Sequence, residues 1–125
     1  MIYPIAEFDH TDPVLTGRSA VTGVIVYRAT VIPQLRNLII FGDNPSGEVF
    51  YVRADNPPAG GQDPIRRVLF SEGGEAGTLL QLIRTKNTAQ GKQPAARADL
   101  RFGYGRNGEV FLLNKADGVV RILTN

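Results

Sequence analysis

The sequence predicts an all-β fold made of antiparallel sheets of four short strands. An internal repeat is the first sign. "FGDNPSGEVFYV" from Phe41 and "FGYGRNGEVFLL" from Phe102 align without a gap at an offset of 61 residues. Phe41/Phe102, Gly42/Gly103, Gly47/Gly108, Glu48/Glu109, Val49/Val110 and Phe50/Phe111 are identical pairs. A period of this size marks one supersecondary unit used more than once. The second sign is the abundance of short runs rich in β-branched and aromatic residues. The third is the turn chemistry between them: "NPSG", "RNG" and "ADG" are compact turn formers.

In chain order, "AVTGVIVYRATVI" (residues 20–32) reads as the first strand region. Pro33 borders it, since proline starts or edges strands, and "NLIIFGD" follows. "NPSG" turns, with Pro45 at the first central position, and "EVFYVRAD" returns. The polar loop "NPPAGGQD" leads to "PIRRVLFSE". "GTLLQLIRT" fits a strand or a short helix, because Leu79, Leu80, Leu82 and Ile83 also make a helical stripe. "KNTAQGKQPAARA" reads as a polar loop. "DLRFGYG" enters an Asn-Gly hairpin whose two turn residues both tolerate positive φ. "EVFLLNK", "ADG" and "VVRILTN" complete the chain.

Each unit therefore holds about four antiparallel strands, the pattern of a β-propeller blade. Residues 20–75 form the first blade-like repeat and residues 77–125 the second, within a single unit spanning 1–125. Two blades leave apolar faces and strand edges open. Further blades, further copies of this chain, or a two-sheet β-sandwich would cover them.

Composition narrows the function. Of 125 residues, 42% are hydrophobic, enough for a packed core. A net charge of +2 with interspersed signs carries no nucleic-acid signature, which needs clustered Lys and Arg. Arg66-Arg67, the nearest approach to a cluster, reads as a solvated edge. With no cysteine there is no disulfide or thiol chemistry. No apolar run reaches the ~18 residues of a membrane span. "MIYPIAEFDH" lacks the apolar stretch of a signal peptide, so the chain reads either as cytoplasmic or as a segment cut from a longer exported protein, and Met1 running straight into strand-like sequence favours the cut.

"YPIAEFDH", "AVTGVIVYR", "IPQLRNLIIFGD" and "PSGEVFYV", followed by "LRFGYGRNGEVFLLNKADGVVRIL", resemble the C-terminal part of the glucose/sorbosone dehydrogenase family. The matching positions are Phe8 and His10, Gly23, Val26-Tyr27-Arg28, Ile32-Pro33-Gln34-Leu35-Arg36, Phe41-Gly42-Asp43 and Ser46-Gly47. The resemblance covers most of residues 2–123. It implies a six-bladed propeller that binds pyrroloquinoline quinone (PQQ) and oxidises a sugar, in a family that is typically periplasmic or secreted. Val24 and Ala29 stand where the family carries glycine. The family's catalytic histidine and calcium ligands belong to earlier blades, so this chain supplies no catalytic residue and no metal ligand.

Three residues are candidates for the quinone. The resemblance places Arg28 toward its carboxylates, and a planar guanidinium suits them; a strand-end arginine covering apolar surface is the alternative. Arg97, with Arg101 beside it, falls near an arginine-rich stretch of the family; a loop arginine is the alternative. His10, the lone histidine, stands between Asp9 and Asp12 and reads either as a surface residue or as a group at the channel rim. Asp43, Glu48 and Glu109 read as structural, because a residue kept in a repeat serves the repeat. No nucleophile–base–acid set is visible around Ser19, Ser46 or Ser71.

Two functions compete. In one, the chain is the C-terminal two-blade portion of a quinoprotein sugar dehydrogenase-like oxidoreductase, helping to close the ring and hold the cofactor. Its partners are then the remaining blades or further copies of itself, with a sugar as substrate; three copies would close a six-bladed ring. In the other, it is a non-catalytic, propeller-derived structural or interaction module.

Overall fold

The computed structural model describes residues 2–11, 19–61 and 64–125. The fold is mostly β, built of antiparallel sheets. Strands β1 (Val21–Val26), β2 (Leu38–Asp43), β3 (Val49–Arg53) and β4 (Arg66–Val68) form a four-stranded meander in that order. A two-stranded hairpin follows, β5 (Phe70–Glu72) with β6 (Glu75–Gly77). After helix α1 (Leu79–Ala89), strands β7 (Arg101–Tyr104), β8 (Val110–Leu113) and β9 (Val120–Ile122) form a three-stranded meander.

The first unit thus has its four strands and the second has three. The segment read as strand or helix is a helix, and it occupies the repeat position that β1 holds in the first unit. The cause is local. β1 is "VTGVIV", rich in β-branched residues, whereas α1 is "LLQLIRTKNTA", composed mostly of good helix formers. Thr78 caps it: the Gln81 N–H donates to the Thr78 hydroxyl at 3.3 Å, and the Thr78 N–H donates to Gln81 Oε1 at 2.9 Å. This reciprocal capping box satisfies two otherwise orphaned donors. Leu79, Leu82 and Ile83 then bury one face of the helix.

Two hairpins answer the repeat, at β2–β3 and β7–β8, with turns where the sequence puts them. They differ in one respect. Asp43 and Glu48 close the first, leaving a four-residue loop, while Gly105 and Glu109 close the second around three residues. The Arg-Asn-Gly turn is therefore not a two-residue turn; only Gly108 takes positive φ, at 83°, as in three-residue hairpin loops. One residue fewer in the loop slips the register by one. Phe41 pairs with Phe50, but its counterpart Phe102 pairs with Leu112. A slip of one exchanges the faces of a strand. Phe41 accordingly lies on the outer side of its sheet, and Phe102 turns inward to the core.

The main core joins both sheets and the helix. Tyr27, Ile40 and Val49 meet Leu100, Val110 and Leu112, with Leu79 and Ile83 between. Phe102 fills the junction. It lies against Gly23, which sits at a β-bulge between Thr22 and Val24 with φ 63°. A side chain at Gly23 would run into the Phe102 ring. A second, smaller cluster lies on the opposite face of the four-stranded sheet. There Phe50, Val52 and Ile65 are covered by Ala6 and Phe8 of the N-terminal segment.

Candidate functional site

The turn of the first hairpin is the joint between the two units. Asp43, fully buried, accepts from the Ala20 N–H at 2.6 Å and the Ser46 N–H at 3.0 Å. The Ser46 hydroxyl donates to Glu48 Oε2 at 2.9 Å. Glu48 is 1% exposed and pairs through Oε1 with Arg67 Nη2 at 2.7 Å. Arg67 also lies over the Phe50 ring, 5.9 Å from its centroid. The Arg66-Arg67 pair is therefore not simply a solvated edge: Arg67 neutralises a buried carboxylate across the sheet. Glu109, at the matching repeat position, serves its own turn instead, accepting from the Asn107 N–H at 2.9 Å. Backbone donors there, its own N–H and that of Asn107, hold its carboxyl below the usual range.

Arg97 belongs to this joint. Its Nη2 donates to Asn44 Oδ1 at 2.9 Å, and its Nε donates to Asp99 at 2.6 Å. Backbone bonds from Ala98 and Leu100 to the carbonyls of Pro45 and Asn44 stitch the same two segments together. Arg28 is exposed beyond the end of β1 and donates to Asn37 Oδ1 at 2.8 Å. His10 is exposed on the N-terminal segment, where neighbouring Asp9 accepts from Thr11. Its other acidic neighbour, Asp12, lies outside the described residues.

These three residues do not converge. Asn37 and Asn44, the partners of Arg28 and Arg97, flank opposite ends of β2. Seven steps along the chain, from Asn37 to Asn44 at about 3.3 Å each, separate them by roughly 20 Å. His10 follows Phe8, which packs on Phe50 on the outer face, their ring centroids 5.9 Å apart. Arg28, Arg97 and His10 thus stand at three separate places in the fold. Among the described residues, no group of three or more His, Cys, Asp or Glu could hold a metal ion. No helix of the described residues is long and apolar enough to cross a membrane.

Two clefts carry polar groups, among them Arg84 and Arg121, which sequence reasoning missed. One, of about 530 Å³, lies beside the joint and is lined by Ser46, Thr78, Arg84 and Arg97. Arg84 Nε donates to the Ala95 carbonyl at 2.8 Å. The other, of about 750 Å³, runs between the β4–β5 region and β9. Arg121 sits in its wall with its side chain only 10% exposed. Its Nη2 meets Asp117 Oδ2 at 2.7 Å, and its Nε meets Glu72 Oε2 at 3.2 Å. Burial disfavours the charge on Asp117, but hydrogen bonds from Arg121 and the Val119 N–H outweigh it and leave the carboxyl below its usual range. Burial likewise opposes the charge of Arg121, and Asp117 and Glu72 together raise its pKa. The available signal was an arginine inside the apolar run "VVRIL", four residues after an aspartate.

Each of these charged groups is engaged within the chain, and the Ser46 hydroxyl that donates to Glu48 is itself buried in the joint. No protein-family model matches the sequence, and no curated protein or solved structure matches the chain.

Proposed function

We propose that the chain is a non-catalytic β module of two blade-type units that works by docking against further β structure. The observation that carries this reading is the separation of Arg28 and Arg97 to opposite ends of β2, each bonded to an asparagine of the first unit. Residues so placed organise the joint and the strand end and do not surround one ligand. Incubation with PQQ, followed by absorbance of the protein fraction and sugar-dependent dye reduction, tests it. An inert protein that retains no quinone supports the module. Retained quinone defeats it.

The second reading makes the chain the C-terminal blades of a PQQ-dependent sugar dehydrogenase-like propeller. The meander order of the four-stranded sheet favours it, as does the cleft lined by both Arg84 and Arg97. Two guanidinium forks suit a polycarboxylate, although Arg28 and His10 then have no part in the site. Quinone retained by the native chain and lost in Arg84→Ala would establish this reading.

A further inference from the structure

The internal repeat gives each unit an outer face, and the two outer faces are treated differently. In the first unit Phe50 and Val52 are 0% and 2% exposed, because Ala6 and Phe8 lie over them. That covering segment is extended. Two backbone bonds pin it, from the Glu7 N–H to the Gly61 carbonyl at 2.9 Å and from the Gly60 N–H to the Ile5 carbonyl at 3.0 Å. In the second unit the matching residues are Phe111 and Leu113. Their cross-strand partners Ile122 and Val120 share that face. Gly103 also lies on it: a Cβ there would stand 3.3 Å from Leu113 Cδ1 and 3.6 Å from Phe111 Cβ. None of these side chains joins either buried cluster. Val120 is 62% exposed and Ile122 48%.

We propose that this face of the β7–β8–β9 sheet binds an extended polypeptide segment bearing an aromatic side chain with acidic residues beside it. The size of the face selects the occupant. Four apolar side chains on two short strands offer on the order of a few hundred Å². A second globular copy stacked face to face would need about 800 Å² from each partner. One extended segment fits, and the first unit shows such a segment seated on the twin face. Charge selects the acid. The face runs into a hollow of about 380 Å³ lined by Asp99, Arg101, Leu113, Lys115 and Val120. Lys115 is 85% exposed there and stands 3.9 Å from Asp99, and Arg101 and Lys115 outnumber that single acid along the rim of the apolar floor. Gly103 stands opposite Phe111 where Phe41 stands opposite Phe50, and on that twin face an aromatic ring, Phe8, packs on Phe50. The proposal rests on the reading of the chain as a docking module and names its partner. Quinone retention would defeat that reading without touching the peptide test, so the two failures are distinguishable.

The probe is a synthetic peptide of residues 2–11, "IYPIAEFDHT", titrated into the ¹⁵N-labelled full chain and followed by amide chemical shifts. Saturable shifts in β8 and β9 are expected, with half-saturation below about 1 mM. A peptide carrying Phe8→Ala should bind at least about tenfold more weakly, the loss expected for a seated aromatic ring. Val120→Asp and Ile122→Asp sit at exposed positions, so they should keep the native spectrum and lose the shifts. Absence of shifts in β8 and β9 overturns the proposal. So do shifts confined to β2 and β3, or binding indifferent to Phe8, Val120 and Ile122.

Discussion

Removing Asp117 tests how the second unit holds its last strand. Asp117 accepts from the Val119 N–H at 3.0 Å and meets Arg121 Nη2 at 2.7 Å, with its own side chain 0% exposed. In Asp117→Ala, Arg121 stays 90% covered and keeps only Glu72, whose side chain is 48% exposed. Breaking a buried pair from one side costs roughly 3–5 kcal/mol. The surviving contact to Glu72 lowers the expectation to about 2–4 kcal/mol, since half-exposed pairs contribute at most about 1 kcal/mol. For a chain of this length that is a fall in Tm of about 8–16 °C. Urea unfolding followed by far-UV circular dichroism measures it. The pH dependence carries the same signature. The folded carboxyl of Asp117 titrates below its unfolded value, so its contribution is complete above the ordinary aspartate range near about 3.9. It is lost as pH falls through the lower, folded value. The stability difference between native chain and variant should therefore be flat from about pH 5 upward and shrink in stronger acid. A loss under about 1 kcal/mol, or a difference that grows in acid, refutes the buried-pair argument.

Glu48→Ala should cost about 3 kcal/mol, because it strips a buried partner from both Arg67 and Ser46; Glu109→Ala at the matching repeat position should barely move the urea midpoint. Thr78→Ala removes the helix cap and should cost about 1 kcal/mol, visible in the same titration. Gly23→Ala should exceed that cost, since it adds a left-handed backbone penalty of about 1 kcal/mol to a clash with Phe102. If the Phe102→Leu background relieves none of the Gly23→Ala loss, the packing of Phe102 on the bulge is not its source.

The hairpins were legible because their turns carry their own chemistry. Asn-Pro-Ser-Gly and Arg-Asn-Gly each place a glycine where φ becomes positive, at Gly47 and Gly108. The choice between helix and strand at Leu79 was not legible from periodicity, since four apolar residues in five positions suit both. Thr78 and Gln81 decide it, through a capping box whose two bonds form only once the turn closes. The pairing of Arg67 with Glu48 escaped for another reason: it crosses a loop, and two adjacent arginines look alike in sequence. Only one of them meets the buried acid. The candidate arginines show the same limit. Arg28 and Arg97 were chosen for their charge and their resemblance to a family pattern. Their distance apart follows from the length and direction of β2, which charge does not report.

The differing loop lengths of the two hairpins make residue identity a poor guide to orientation. Phe41 and Phe102 align without a gap, and yet one looks outward and the other into the core. Grafting "DNPSG" over residues 104–108 would lengthen the second loop by one and turn β7 over. Phe102 would then leave the joint, and Gly103 would face the interior with nothing to fill the space. In a chain that repeats itself, a single loop residue acts as a handedness mark, telling each copy of the same line which side to show.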